Sequence, residues 1–197
     1  MSKPIEQFAD AARSFCRWAE DEPKDSTSEA RTARRLLAEL YLRAIDLPEV
    51  SADTDAPTID QKQYESIFKR FGAFPFNYYS ECFNPLVVPP EEPVTSDLAD
   101  DLADIWRDLK GGLLLYDSGA IEAAVWEWRF NFSAHWAHHA CGALYPGFPI
   151  WSWYSPSQNS RCALISAGSD KRNSARKGDT LWVRKKPSRF SSPSTGF

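Results

Sequence analysis

The stretch that decides the fold is residues 121–144, IEAAVWEWRFNFSAHWAHHACGAL. Placed at 100° per residue, its apolar side chains cover most of the circumference of a helix, which is typical of the central helix of a bundle. Pro146 and Pro149 follow it and predict its end. The sequence therefore predicts an all-α, bundle-like domain that includes a long helix from about Ala120 to Leu144.

The preceding stretch, LADDLADIWRDLKGGLLLYD at residues 98–117, predicts a second long helix. Its N-terminus is expected at Ser96 or Asp97, both good N-cap residues. A turn is expected around Gly119, between the two helices. One arc of this helix is apolar and is expected to face the core: Leu98, Leu102, Ile105, Leu109 and Leu113.

Three further helices are predicted nearer the N-terminus, which makes about five in all. The first covers about residues 4–20, where apolar side chains recur at steps of three and four. The second is expected to begin at Ser26, because Ser26 and Glu29 have the spacing of a capping box. The third is expected between an N-cap at Asp60 and a terminating Gly72. The segment 74–94 that follows contains five prolines and predicts an irregular aromatic loop pinned to the bundle.

The net charge of -4 conceals two different parts of the chain. Residues 1–144 hold 14 basic and 25 acidic side chains, whereas residues 145–197 hold 9 basic and 2 acidic ones. Such an asymmetry usually marks a change in the nature of the chain. We therefore predict a helical domain over residues 1–145. The basic, Ser- and Pro-rich tail over 146–197 is predicted to be disordered or the product of a frameshift.

Several segments together resemble a known bacterial family. They are FPFNYYSECFNPL, SDLADDLADIWRDLKGGLLLYDSG and AVWEWRFNFSAHWAHHACGAL, with FADAARSFCRWAE and LLAELYLRAIDLP nearer the N-terminus. The chain is similar, over about residues 5–145, to the family catalogued as domain of unknown function 5063. This resemblance implies a small all-helical domain and no known activity. It gives no catalytic residue.

The three histidines of the chain all lie in the stretch that decides the fold. His135 and His139 are four residues apart, so on a helix they can point at one centre, as in metal-binding helices. Asp101, Asp104 and Asp108 lie on one side of the preceding helix and could add oxygen ligands if the two helices pack together. The alternative is that the histidines are ordinary buried residues and the aspartates a solvated face.

Other polar residues of the same two helices complete a candidate cluster. Glu127 and His138 align with Asn131 in a second polar row. Arg129 stands among aromatic residues and could clamp a carboxylate or phosphate. The simpler interpretation of Arg129 is a salt bridge to an aspartate of the preceding helix.

We hypothesise first a non-enzymatic, cytoplasmic interaction domain with a protein or small-molecule partner. No nucleotide-binding loop and no hydrolase serine motif occurs. No membrane partner is expected, since no stretch approaches ~20 apolar residues. The partner surface is expected on aromatic residues of the irregular loop: Phe74, Phe76, Tyr78, Tyr79 and Phe83.

Two alternatives have less support in the sequence. The first is a metal-binding protein or metal-dependent hydrolase that uses His135 and His139; a divalent metal at this pair is the one cofactor considered. The second is nucleic-acid binding through the basic, aromatic-containing tail. A nucleic-acid partner is not expected, because no folded nucleic-acid module accompanies the tail.

Overall fold

The computed structural model describes residues 2–72, 74, 77–82, 84 and 86–144. The chain divides into two units, Met1–Pro149 and Ile150–Phe197. The second unit lies outside the described residues, and so do the predictions made for the tail.

The prediction of an all-α domain is confirmed. The described part of the chain holds six helices, one π turn and two short strands. The long helix predicted from about Ala120 to Leu144 is divided by the π turn into two of these helices. Among these helices none combines the length and apolarity needed to cross a membrane. In chain order the elements are α1 (Lys3–Glu20), α2 (Ser26–Ile45), α3 (Gln61–Phe71), β1 (Tyr78–Glu81), β2 (Val94–Asp97), α4 (Leu98–Asp117), α5 (Ile121–Asn131), the π turn (Phe132–Trp136) and α6 (Ala137–Leu144).

The N-caps explain where the helices begin. Asp60 accepts hydrogen bonds from the backbone N–H groups at the start of α3, and Asp97 accepts one at the start of α4, as predicted. Helix α2 begins at Ser26, as predicted, but Ser26 is not its N-cap. Asp25 is the N-cap and accepts from the N–H of Ser28, while Ser26 is already helical.

Glu29 does not form the predicted capping box, because its side chain turns into the core. It accepts a hydrogen bond from the indole N–H of Trp18 at 2.9 Å and pairs with Arg70 at 2.6 Å. The Arg70 guanidinium also lies over the Trp18 ring. A buried carboxylate is tolerated when it is paired and hydrogen-bonded. Glu29 of α2 therefore joins α1 to α3.

The centre of the bundle is α4. It packs against α1, α3, α5 and α6. Three tryptophans from α4, α5 and the π turn, namely Trp106, Trp128 and Trp136, are fully buried. They are joined in the core by Phe8 and Phe15 of α1.

A tight turn reverses the chain between α4 and α5. Gly119 adopts φ 87°, in the left-handed region that favours glycine. Within α4, Gly112 lies directly under the Trp128 ring, where any Cβ would overlap the indole. The Trp128 N–H donates to the carbonyl oxygen of Leu109 at 3.2 Å. This close contact fixes the position of α5 along α4.

The segment 74–94, predicted as an irregular loop, includes strand β1 and ends where strand β2 begins, and neither strand is predicted from the sequence. β1 and β2 are antiparallel, with Tyr78 opposite Asp97 and Glu81 opposite Val94. The backbone N–H of Leu98 donates to the carbonyl oxygen of Asn77 at 2.7 Å. The strand pair is thereby held at the N-terminus of α4.

We expect Gly112→Ala to destabilise the protein. Glycine to alanine in a helix normally stabilises by roughly 1 kcal/mol, but here the added methyl must displace the Trp128 ring, and such overpacking costs about 1–3 kcal/mol. Gly111→Ala is the matched control, since its Cβ would meet only the Ala56 methyl, at 3.3 Å. Urea unfolding measures both. Equal free energies of unfolding for the two variants would contradict this packing.

Candidate functional site

Helix α4 and the α5–π turn–α6 segment bring the predicted aspartates and histidines together. Asp101, Asp104 and Asp108 of α4 are buried rather than solvated, so the interpretation of this stripe as a wet face is wrong. His135 lies in the π turn and His139 in α6. The two histidines face the aspartates across the α4–α6 contact.

The π turn controls how the histidines point. π turns are rare and are frequently found at functional sites. Here the turn contains His135 and ends two residues before His138. The Nε2 atoms of His135 and His139 approach to 3.2 Å, with the two rings inclined at 79°. The predicted spacing of four residues therefore does bring both imidazoles to one point.

Each imidazole is anchored from behind by a carboxylate. Nδ1 of His135 is 2.7 Å from Oδ2 of Asp108, and Nδ1 of His139 is 2.7 Å from Oδ1 of Asp101. A carboxylate facing Nδ1 places a proton on that nitrogen and leaves Nε2 as the electron donor. Metal-binding histidines are held in this way in many proteins.

Asp104 supplies a third donor atom at the same point. Its Oδ2 is 3.6 Å from Nε2 of His135 and 3.8 Å from Nε2 of His139. These donor atoms of the three residues all lie within 4.8 Å of one another. The other oxygen, Oδ1, accepts from the Tyr64 hydroxyl at 2.9 Å and pairs with Arg107 at 2.8 Å.

The spacing of these atoms fits a small divalent ion. If an ion lay about 2.05 Å from both Nε2 atoms, the angle between its two bonds to nitrogen would be roughly 103°, close to the tetrahedral value. Oδ2 of Asp104, 3.6 and 3.8 Å from the two Nε2 atoms, is near enough to bind the same ion without moving. The donor set would then be two imidazole nitrogens and one carboxylate oxygen, a combination that suits zinc and ferrous iron.

The cluster is anchored in the core and open at one side. The Asp108 and Asp101 side chains are almost completely buried, whereas the His135 side chain is 36% exposed. The anchoring carboxylates are therefore shielded from water, and the donor nitrogens lie near the surface. A bound ion could exchange with solvent through that side.

Strand β1 closes another side of the cluster. The Tyr79 hydroxyl donates to Oδ2 of Asp101 at 2.7 Å. Burial raises the pKa of Tyr79, and the hydrogen bond to Asp101 raises it further. Gly142 of α6 makes room for this hydroxyl, since a Cβ there would overlap it. Both oxygens of Asp101 thus have partners, His139 on one side and Tyr79 on the other.

The charge state of His139 reflects these neighbours. Burial alone would lower its pKa, but the hydrogen bond to Asp101 and the charges of Asp101, Asp104 and Asp100 outweigh burial and raise it. In the metal-free protein His139 therefore holds a proton to higher pH than an ordinary histidine. A metal ion at Nε2 must displace that proton.

The remaining members of the predicted polar cluster lie elsewhere. Arg129 bonds to the carbonyl oxygen of Leu47 and to Glu49, so its predicted pairing with an aspartate of α4 is wrong. Glu127 accepts from the Asn131 amide at 2.9 Å, and both are buried. The His138 side chain is 47% exposed, and its Nε2 lies 3.3 Å from Oε1 of Glu81.

The aromatic residues predicted as a partner surface have different environments. Phe74 is buried against Trp18 and Phe71. The Tyr79 hydroxyl donates its hydrogen bond to Asp101 and so contacts the histidine–aspartate cluster. Tyr78 is exposed. Phe76 and Phe83 lie outside the described residues.

Three residues that position the cluster were missed by sequence reasoning. Tyr64 and Arg107 are absent from the predicted polar cluster, and Tyr79 is predicted on a partner surface instead. Tyr64 and Tyr79 reach the cluster from α3 and β1, a relation that depends on packing, whereas Arg107 pairs with Asp104 of its own helix. The one signal in the sequence that could have indicated their role is that each of the three side chains carries a polar group next to apolar residues.

Comparisons with known proteins bear on the fold alone. No curated protein matches the chain. A crystal structure of protein BF1032 from Bacteroides fragilis is similar to it, with a TM-score of 0.65 and 21% sequence identity, over 79% of this chain and 95% of that one. The model of the family described as "Domain of unknown function (DUF5063)" matches residues 1–145. The chain belongs to this family.

Proposed function

We propose that this protein binds a divalent transition-metal ion through Asp104, His135 and His139. The observation that carries the proposal is the convergence of two Nε2 atoms and one carboxylate oxygen, while buried carboxylates hold both Nδ1 atoms from behind. Asp101 and Asp108 would act as the outer partners that orient the ligands and increase their basicity.

A metal-free arrangement competes with this proposal. The 3.2 Å between the Nε2 atoms of His135 and His139 also suits a hydrogen bond in which one imidazole donates to the other. That arrangement would tolerate a proton on only one of the two Nε2 atoms, since two N–H groups at this distance oppose each other. Metal binding satisfies both nitrogens and Oδ2 of Asp104 at once, which is the reason we prefer it.

Three protein ligands leave at least one position on the ion for water or a small ligand. Structural zinc sites are usually closed by four protein ligands, whereas catalytic sites keep an open position. The 36% exposure of the His135 side chain supports an open position that faces solvent. A metal-dependent hydrolase, in which the ion activates a bound water, is the catalytic form of this proposal.

A non-enzymatic interaction role is the second candidate function. The chain between β1 and β2 carries apolar side chains in water, with Leu86 89% and Val88 88% exposed. Clustered exposed apolar residues are typical of binding surfaces. Replacing both with serine should reduce capture of a protein partner from the native host without changing metal content.

We expect the protein, purified without a histidine tag, to bind one Zn²⁺ per chain. Replacing His135, His139 or Asp104 with alanine should abolish stoichiometric binding, because each removes one of three ligands. Asp101→Asn and Asp108→Asn should weaken it by about 10–100-fold, the usual effect of losing an outer partner. Elemental analysis gives the stoichiometry, and calorimetric titration gives the affinities.

His138→Ala is the matched control for these variants. It lies beside His139 on the same helix, but its Nε2 atom faces Glu81, at 3.3 Å, and it is not one of the three residues that supply the donor atoms. It should keep the wild-type affinity. Stoichiometric binding that survives both the His135→Ala and His139→Ala changes would overturn the proposal.

Zinc affinity should fall in acid, starting at a higher pH than for a site built from ordinary histidines. The reason is that the metal competes with the proton on His139, whose pKa is raised in the folded protein. Imidazole chemical shifts followed against pH in the metal-free protein give this pKa directly. Asp101→Asn should lower it, whereas Glu39→Gln, on the far helix α2, should not. A His139 pKa insensitive to Asp101 would contradict the described contact.

A further inference from the structure

We infer that Tyr64 and Arg107 are positioning residues that set which metal ions the centre accepts. They do so by occupying one oxygen of Asp104 and restricting this carboxylate to a single metal bond. The inference rests on the proposed metal centre and adds to it the basis of its selectivity.

The two oxygens of Asp104 have separate partners. Oδ1 accepts from the Tyr64 hydroxyl at 2.9 Å and from the Arg107 guanidinium at 2.8 Å. Oδ2 faces the Nε2 atoms of His135 and His139. A carboxylate oxygen that already accepts two hydrogen bonds, one of them charge-assisted, is less available to bind a metal ion.

Tyr64 and Arg107 also hold each other in place. Arg107 lies three residues after Asp104 on α4, and its Cζ lies 4.9 Å from the centre of the Tyr64 ring, which comes from α3. The Tyr64 hydroxyl also lies 3.1 Å from Oδ1 of Asp100, so its single proton is shared between the two carboxylates. The pair therefore fixes Asp104 from two helices, and we call it the Tyr64–Arg107 clamp.

The acidic residues nearby do not replace the oxygen that the clamp withholds. Both oxygens of Asp101 are engaged, by His139 and Tyr79, and Oδ2 of Asp108 faces His135. The protein therefore offers an ion two nitrogens and one oxygen. Zn²⁺ and Co²⁺ accept this set with one added water, whereas Mn²⁺, Mg²⁺ and Ca²⁺ prefer six or more ligands, mostly oxygens.

Removing the clamp should free Oδ1 for a second bond to the metal and raise the coordination number. The experiment compares the wild type with Tyr64→Phe, Arg107→Met and the double variant, each loaded with Co²⁺. Wild-type Co²⁺ protein should show the intense visible absorption of four-coordinate cobalt. In the double variant this absorption should weaken towards the five- or six-coordinate form, and the ratio of Zn²⁺ to Mn²⁺ affinity should fall by about tenfold.

Arg43→Met is the matched control, because it removes a guanidinium of α2 that pairs with Glu39 and leaves Asp104, Tyr64 and Arg107 unchanged. It should keep the wild-type cobalt spectrum. Should the double variant fail to fold by circular dichroism, the single variants decide, each with a smaller shift in the same direction. Variants that bind Co²⁺ with an unchanged spectrum and an unchanged affinity ratio would overturn the clamp alone. A wild type that binds neither Co²⁺ nor Zn²⁺ would overturn the metal centre itself, and the inference with it.

Discussion

The contact between the Trp128 ring and Gly112 is the constraint on which the site depends. Only glycine lets α5 approach α4 so closely, and the indole N–H bonded to Leu109 fixes the register of the two helices. Beyond α5 the chain continues through the π turn into α6, which also packs against α4. In this register His135 and His139 lie opposite the aspartates of α4. A shift by one residue would place the imidazoles beside apolar side chains instead, and the buried carboxylates would lose their partners.

The helices could be predicted because each carries its own signal. Apolar spacing and N-cap residues such as Asp60 and Asp97 act locally, within a few residues of the chain. The candidate ligands His135 and His139 were found for the same reason, since their spacing is a property of one helix. Their relation to Asp104 depends on how two helices pack, and periodicity does not encode this. The π turn was equally hidden, because the segment is apolar around most of its circumference and a change of phase leaves no visible break in such a pattern.

Buried acidic groups give the site its electrostatic character. Asp101, Asp104 and Asp108 lie on one side of α4 and are almost without access to water. Carboxylates so close together repel one another, and burial raises the free energy of each in its charged form. A proton on His139 offsets part of this charge in the metal-free protein, with Arg107 and two tyrosine hydroxyls as further partners. A divalent cation would offset the same charge with a single ion, so the metal-free protein is already organised for it.

The strand pair has a practical consequence for work on this family. β1 and β2 are fixed to the helices by Tyr79, Glu81 and the first turn of α4, whereas the chain between them is exposed around Glu91 and Glu92. Exposed loop tips tolerate insertions. A fluorescent reporter inserted there would sit at the end of two strands anchored beside the centre. The protein thus provides its own attachment point for an optical sensor of the ion that we propose it binds.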